Sequence, residues 1–173
     1  MGFVNAHFVA YATGMGSGAV VSAVALASVG IMSVLGAVTM GRLADNYGPR
    51  PFLGIAYLIR GLGYGVLLVA NSLPVATLGV MVVGISWTSV IALTGAVSAD
   101  QFGLRRLGTV YGAIFGIMPL GAASGVWAAG WIYDMTGRYD IALWISMGLG
   151  LIASVIIALP KYRRLQPLNT QAE

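Results

Sequence analysis

The sequence predicts an all-α integral membrane protein with about six transmembrane helices. Of its 173 residues, 58% are hydrophobic and only 8% are charged, against roughly 25% charged residues in soluble domains. Apolar runs close to the roughly 20 residues that span a bilayer recur along the whole chain. A domain this apolar cannot cover its own surface in water, so lipid must be the solvent for most of it.

Polar residues divide the chain into six apolar segments. The first, residues 1–14, would reach only about 21 Å as a helix, so we expect a truncated first helix. A secretory signal is the other interpretation, but Asn5 and His7 interrupt this segment and no positive charge precedes it. The five longer segments are predicted at 18–41, 51–70, 75–98, 107–131 and 141–159.

The predicted connections are short and carry most of the basic residues. They lie at 42–50, 71–74, 99–106 and 132–140, and such brief connections make neighbouring helices antiparallel. If the first connection is cytoplasmic, that side receives Arg42, Arg50, Arg105, Arg106, Lys161, Arg163 and Arg164. The opposite side receives Arg138 alone, so the positive-inside rule predicts a multi-pass protein of the cell membrane with a cytoplasmic C-terminus.

Glycines recur at a spacing of four inside the predicted helices. Such small residues form grooves in which helix backbones pack closely in a membrane. The same spacing also suits helices that slide. The pairs and triplets with this spacing are Gly61 with Gly65, Gly108 with Gly112 and Gly116, and Gly121 with Gly125.

Residues 41–50 carry the most specific motif in the chain. They read Gly-Arg-Leu-Ala-Asp-Asn-Tyr-Gly-Pro-Arg, which resembles the loop signature of the major facilitator superfamily, Gly-x-Leu-Ala-Asp-x-x-Gly-x-Arg/Lys. Residues 7–13, 102–112 and 130–140 are similar to parts of the C-terminal half of monocarboxylate-transporter-like members. The resemblance implies a major-facilitator-type half bundle over residues 1–160, its first helix truncated, followed by a basic cytoplasmic tail at 161–173.

The resemblance also implies a conformational latch formed by the signature residues Gly41, Asp45, Gly48 and Arg50. A carboxylate at the end of one helix can accept charge-assisted hydrogen bonds from an arginine and from the N-terminus of another helix, here the one starting near Leu107. In the superfamily such a cluster is thought to hold one access state. The alternative is a fixed contact that only holds the loop in place.

Arg60 is the one formal charge predicted deep inside an apolar segment. Placing an arginine at the centre of a membrane helix costs about 2.5 to 3.5 kcal/mol on insertion scales, so the residue needs a reason to be there. A substrate carboxylate is one reason. Snorkelling to the membrane surface or a structural partner is the other.

The first segment supplies a second group of candidates for substrate binding or coupling. His7 and Tyr11 are one turn apart and share a helix face, with Asn5 nearby. The resemblance places this helix beside a central cavity, where a neutral histidine could bind a carboxylate or relay a proton. Hydrogen bonding between helices is the alternative. Trp87, Thr88 and Tyr111 are weaker candidates, for which ordinary packing is the better explanation.

These features predict a secondary transporter of a small solute, most plausibly an organic anion such as a monocarboxylate. The alternative is a truncated or split-gene product that acts only as a structural membrane subunit. An enzyme is disfavoured because the membrane segments lack paired carboxylates or a nucleophile with its base. We expect no cofactor and no metal, because one histidine and no cysteine leave no ligand cluster.

The expected partners are membrane lipid, the solute, and either an N-terminal transporter half or a second copy of the chain. Nucleic acid is excluded because the basic residues do not form a continuous face.

Overall fold

A computed structural model describes residues 2–159, and every regular element in this range is an α-helix. The elements are α1 (Gly2–Thr13), α2 (Ala19–Tyr47), α3 (Pro49–Leu68), α4 (Leu73–Phe102), α5 (Leu104–Thr136) and α6 (Asp140–Ala158). By length and composition, α2 to α6 can each cross a membrane. The prediction of an all-α membrane bundle of about six helices, with a short first helix, is confirmed. The predicted tail at 161–173 lies outside the described residues.

Three helices extend well past the apolar segments that predicted them. Helix α2 continues to Tyr47, α4 continues to Phe102, and α5 runs from Leu104 to Thr136. The predicted connections at 42–50 and 99–106 are therefore mostly helical. An apolar run measures the depth of the hydrocarbon, whereas a helix continues into the head-group region until something stops it. The sequence analysis was therefore wrong about the lengths of these connections.

Single glycines stop two of these helices. Gly48 separates α2 from α3 and Gly103 separates α4 from α5. Both have positive φ, 88° and 74°, and their N–H groups donate to Ala44 and Ala99 respectively. Only glycine enters such conformations without a steric penalty, which makes it the usual residue directly after a helix.

Helices α2, α3, α4 and α6 form the closely packed part of the bundle. Glycines allow their backbones to touch. Gly36 of α2 lies directly against the main chain of Ile85 in α4, and a Cβ atom on Gly150 of α6 would lie 3.0 Å from the Cα of Gly61 in α3. The expectation that Gly61 marks a close helix contact is thereby confirmed, with α6 as the partner.

Helix α5 is attached loosely, and Ala129 is its one buried residue. Its glycines at 108, 112, 116, 121 and 125 have open space where a Cβ atom would point. Within residues 2–159 these glycines thus make none of the close helix contacts that their spacing predicted. Most of the surface of α5 remains free, and a cavity lies behind it.

Candidate functional site

A cavity of about 650 Å³ lies between α5 and the packed part of the bundle. It is lined by residues of α1, α3, α4, α5 and α6. Two of these helices, α5 and α6, scarcely touch although they are consecutive. The volume of the cavity falls in the range of about 300 to 1,000 Å³ that is typical of ligand sites.

Among the described residues, Arg60 is the one charged residue that lines this cavity. It lies near the middle of α3 and is only partly exposed. Its Nε donates to the hydroxyl of Ser86 at 3.1 Å and its Nη2 to the Ser86 carbonyl oxygen at 3.0 Å, and its guanidinium lies 5.2 Å from the ring centre of Tyr57. These contacts hold the side chain in one place. They supply no negative charge.

Ser86 holds Arg60 because its own hydroxyl is already fixed. The Ser86 hydroxyl donates to the carbonyl oxygen of Val83 at 2.7 Å, so its lone pairs point outward to accept from Arg60. A guanidinium has five N–H donors, and these two bonds leave the remaining three without a partner in residues 2–159. Ser86 is therefore the structural partner anticipated for Arg60, but it accepts hydrogen bonds from only two of the five N–H donors.

Tyr64 lies one turn after Arg60 and also lines the cavity. Only 1% of its surface is exposed, and its hydroxyl is the one buried side-chain polar atom in the described residues without a hydrogen-bond partner. Leaving such a group unsatisfied costs about 1 to 3 kcal/mol. The sequence analysis missed this residue, although a tyrosine four residues from a buried arginine is a signal that could have found it.

The two aliphatic hydroxyls of the lining donate within their own helices. The Thr94 hydroxyl donates to Val90 and the Ser146 hydroxyl to Ala142, at 2.6 and 2.8 Å. Within residues 2–159, the residues lining the cavity that keep donors without a hydrogen-bond partner are Arg60, the buried Tyr64 and the partly exposed Tyr57. No aspartate or glutamate of the described residues lines it. The unpartnered polar groups of the described lining are therefore hydrogen-bond donors, and Arg60 gives the cavity a positive charge.

His7 lies in an aromatic cluster apart from this cavity. Both ring nitrogens have partners: Nε2 is 3.2 Å from the carbonyl oxygen of Val126, and Nδ1 is 3.4 Å from the Tyr139 hydroxyl. A carbonyl only accepts, so Nε2 carries the proton and Nδ1 accepts from Tyr139. Burial, together with Tyr133 and Asp134, raises the pKa of the Tyr139 phenol, which therefore stays protonated at neutral pH and able to donate.

Tyr11 also lies in the cluster but bonds to a different helix. Its hydroxyl donates to the carbonyl oxygen of Leu67 near the end of α3, at 2.5 Å. His7 and Tyr11 therefore tie α1 to α5, to the α5–α6 connection and to α3. The ring centre of Phe3 lies 5.9 Å from that of His7. Phe3 also lines the cavity of Arg60. Asn5 is exposed.

The signature residues lie at the opposite end of the bundle. Arg50 donates from Nε to the carbonyl oxygen of Ile157 at 3.1 Å and from Nη2 to that of Leu159 at 2.6 Å. These are orphan carbonyls at the C-terminus of α6, where a cation is favourable. Asp45 is exposed in the last turn of α2, and within residues 2–159 its side chain has no hydrogen bond or ion pair.

The weaker candidates lie on α4 and α5. Trp87 packs against the buried core and Thr88 is exposed. The Tyr111 hydroxyl donates to the carbonyl oxygen of Ile91 at 3.2 Å, which ties α5 to α4. None of these three lines the cavity of Arg60.

Comparison with known proteins supports the architecture. The chain is 28% identical to an uncharacterized MFS-type transporter, YcxA, of Bacillus subtilis over 178 aligned positions, which cover 92% of this chain and 40% of the relative. It is 24% identical to triacylglyceride transporters of Mycolicibacterium hassiacum and Mycobacteroides abscessus, with 74% and 68% of this chain covered and 24% and 23% of the relatives. The chain thus spans less than half the length of each relative.

The sequence model of the Major Facilitator Superfamily matches residues 1–173. A family match over the whole chain agrees with the signature at 41–50 and with the helices long enough to cross a membrane. This multi-pass membrane protein belongs to the Major Facilitator Superfamily, a family of transporters rather than enzymes.

Proposed function

We propose that the chain forms part of a secondary transporter for organic anions, such as monocarboxylates, driven by an ion gradient or by exchange. One observation carries the proposal: Arg60 faces a ligand-sized cavity, and within residues 2–159 three of its N–H donors have no partner and no carboxylate lines the cavity. A buried charge without a counter-charge is costly. An anionic solute supplies that counter-charge.

The architecture that supports this function is the C-terminal half of a transporter. Residues 1–160 would form the half bundle and residues 161–173 a cytoplasmic tail, with Gly48 and Gly103 on the cytoplasmic side. The partner is an N-terminal half or a second copy of the chain. The loosely attached α5, with its open row of glycines, supports such a partner.

A neutral lipid is the second candidate cargo. Two relatives are named triacylglyceride transporters, and the lining of the cavity is predominantly apolar. A triacylglyceride carries no charge, so it would leave Arg60 uncompensated. The two candidates therefore differ in whether transport requires the guanidinium.

Uptake into proteoliposomes tests the proposal. We would reconstitute the chain alone and the chain together with a candidate N-terminal half, and measure uptake of radiolabelled carboxylates and of a labelled triacylglyceride. Saturable carboxylate uptake that Arg60→Gln abolishes and Arg42→Gln preserves is the expected result, because Arg42 is exposed and remote from the cavity. Carboxylate uptake that survives Arg60→Gln would contradict the role of Arg60, and uptake of the triacylglyceride alone would favour the second candidate.

We also propose that Gly41, Asp45, Gly48 and Arg50 act as the latch between access states. The contact of Arg50 with the end of α6 supports it, because this contact ties the start of α3, directly after Gly48, to the end of a distant helix. Asp45→Asn in the reconstituted transporter should shift cysteine-accessibility labelling between the two membrane faces. Unchanged labelling on both faces would show that the segment is a fixed structural contact and not a latch.

A further inference from the structure

We propose that the cavity of Arg60 binds an amphiphilic monocarboxylate, whose head group lies between Arg60 and Tyr64 and whose alkyl chain lies along α5 and α6. This inference rests on the proposed organic-anion function and narrows its substrate class. It assigns to Tyr64 the role of a second anchor for the head group.

The donors define the head group. Within residues 2–159, three N–H groups of Arg60 and the hydroxyl of Tyr64 have no hydrogen-bond partner. The two residues lie one turn apart on the same face of α3. A planar carboxylate accepts hydrogen bonds from a guanidinium through two oxygens and can also accept from a phenol. A ligand of this kind satisfies both residues at once.

The charge limits the head group to a single negative charge. Arg60 is the only cation among the described residues that line the cavity. A doubly charged phosphate would leave one negative charge uncompensated at low dielectric, which is strongly unfavourable. A carboxylate forms a neutral pair with Arg60.

The rest of the cavity defines the tail. Away from Arg60 the lining consists mainly of aliphatic side chains and glycines, among them Ile114, Ile117, Met118, Gly121, Ile145 and Leu149. A solute of two or three carbons would leave most of the 650 Å³ unfilled. An alkyl chain fills it and buries apolar surface.

The position of the opening defines the route of entry. Ile117 of α5 and Leu149 of α6 both line the cavity and are exposed, with 68% and 63% of their surfaces accessible. Because α5 also scarcely touches α6, we infer that the cavity opens between these two helices. In a membrane this opening faces hydrocarbon or another helix. An amphiphile dissolved in the bilayer can therefore enter sideways with its tail beside these residues.

Binding of decanoate to the purified chain in zwitterionic lipid nanodiscs tests the inference. Radiolabelled decanoate is compared with decanol, which has the tail without the charge, and with lactate, which has the charge without the tail. Protein-free nanodiscs measure the background from lipid. We expect saturable binding of decanoate, with decanol and lactate as poor competitors.

Two pairs of variants locate the head and the tail. Tyr64→Phe removes only the unpartnered hydroxyl and should weaken decanoate binding about tenfold, whereas Tyr47→Phe, at an exposed position, should not. Gly121→Leu places a side chain in the open part of the cavity and should weaken decanoate binding. Gly108→Leu, on the same helix with equal open space but outside the lining, should not.

The outcomes separate this inference from the function on which it rests. Unchanged decanoate binding in Tyr64→Phe, or equal effects of Gly121→Leu and Gly108→Leu, would overturn it. If lactate binds in an Arg60-dependent manner and decanoate does not, the organic-anion function stands and the amphiphile inference is wrong. If no carboxylate depends on Arg60, both are wrong.

Discussion

A Cβ atom on Gly36 would overlap the main-chain carbonyl oxygen of Ile85, so α2 and α4 meet backbone to backbone at this point. Because the obstacle is main chain, a side-chain rotation cannot relieve the clash. Gly36→Ala should destabilise the protein by about 1 to 3 kcal/mol through overpacking. Gly30→Ala, on the same helix with open space around it, should be neutral or slightly stabilising. Thermal unfolding in detergent compares the two, and equal unfolding temperatures would show that the helices do not approach this closely.

Arg50 should stabilise the end of α6 through its two hydrogen bonds to Ile157 and Leu159. Arg50→Gln removes the charge at a helix C-terminus and the paired donors, for an expected loss of about 1 to 2 kcal/mol. Arg42→Gln, in the same signature segment but exposed, should change stability by less than about 0.5 kcal/mol. Amide hydrogen exchange localises the effect: faster exchange in the last turn of α6 is expected for Arg50→Gln only.

Tyr64→Phe should stabilise the ligand-free protein. The hydroxyl of Tyr64 is buried without a partner, and its removal recovers up to about 1 to 3 kcal/mol of desolvation cost. Tyr11→Phe should do the reverse and lose about 0.5 to 1.5 kcal/mol, because the Tyr11 hydroxyl donates to Leu67. Unfolding temperatures of both variants without added anion provide the measurement. A destabilised Tyr64→Phe would mean that the hydroxyl is already satisfied in the empty site.

His7 should be protonated at Nε2 when its imidazole is neutral, because Val126 offers only an acceptor to that nitrogen. The chain has one histidine, so nitrogen-15 NMR of the labelled side chain gives a single pair of ring signals in mildly alkaline buffer. Tyr139→Phe removes the donor to Nδ1 and should reduce the preference for this tautomer. A spectrum dominated by protonated Nδ1 would contradict the assignment.

The sequence predicted the membrane helices because burial in lipid requires long apolar runs that are visible without any tertiary information. It misplaced the helix ends because residues 42–47 contain Arg42, Asp45 and Asn46 yet are helical, and hydropathy does not distinguish a helix in the head-group region from a loop. The glycines at 48 and 103 end the helices, and only their backbone conformation reveals this.

Arg60 could be identified as a candidate because a charge in an apolar segment stands out by itself. The spacing of Tyr64 from Arg60 could have marked it as a neighbour on the same helix face, but the isolation of its hydroxyl depends on the surrounding helices and is not visible in the sequence. The partner of Arg50 was also beyond sequence reasoning: Ile157 lies 107 positions away and offers only a backbone carbonyl, which no side-chain pattern marks. His7 and Tyr11 were expected on one face, but Tyr139 and Val126 come from distant parts of the chain.

The helix connections at the two ends of the bundle differ in length. At one end of the bundle, each connection is a single residue, Gly48 or Gly103. At the other end the connections are three to five residues long, at 14–18, 69–72 and 137–139. A one-residue connection has no slack, so α2 with α3, and α4 with α5, can separate only by pivoting about their shared glycine. The helix pairs are therefore hinged at the end of Gly48 and Gly103, and widening of the bundle at the other end requires the contacts of His7 and Tyr11 to open.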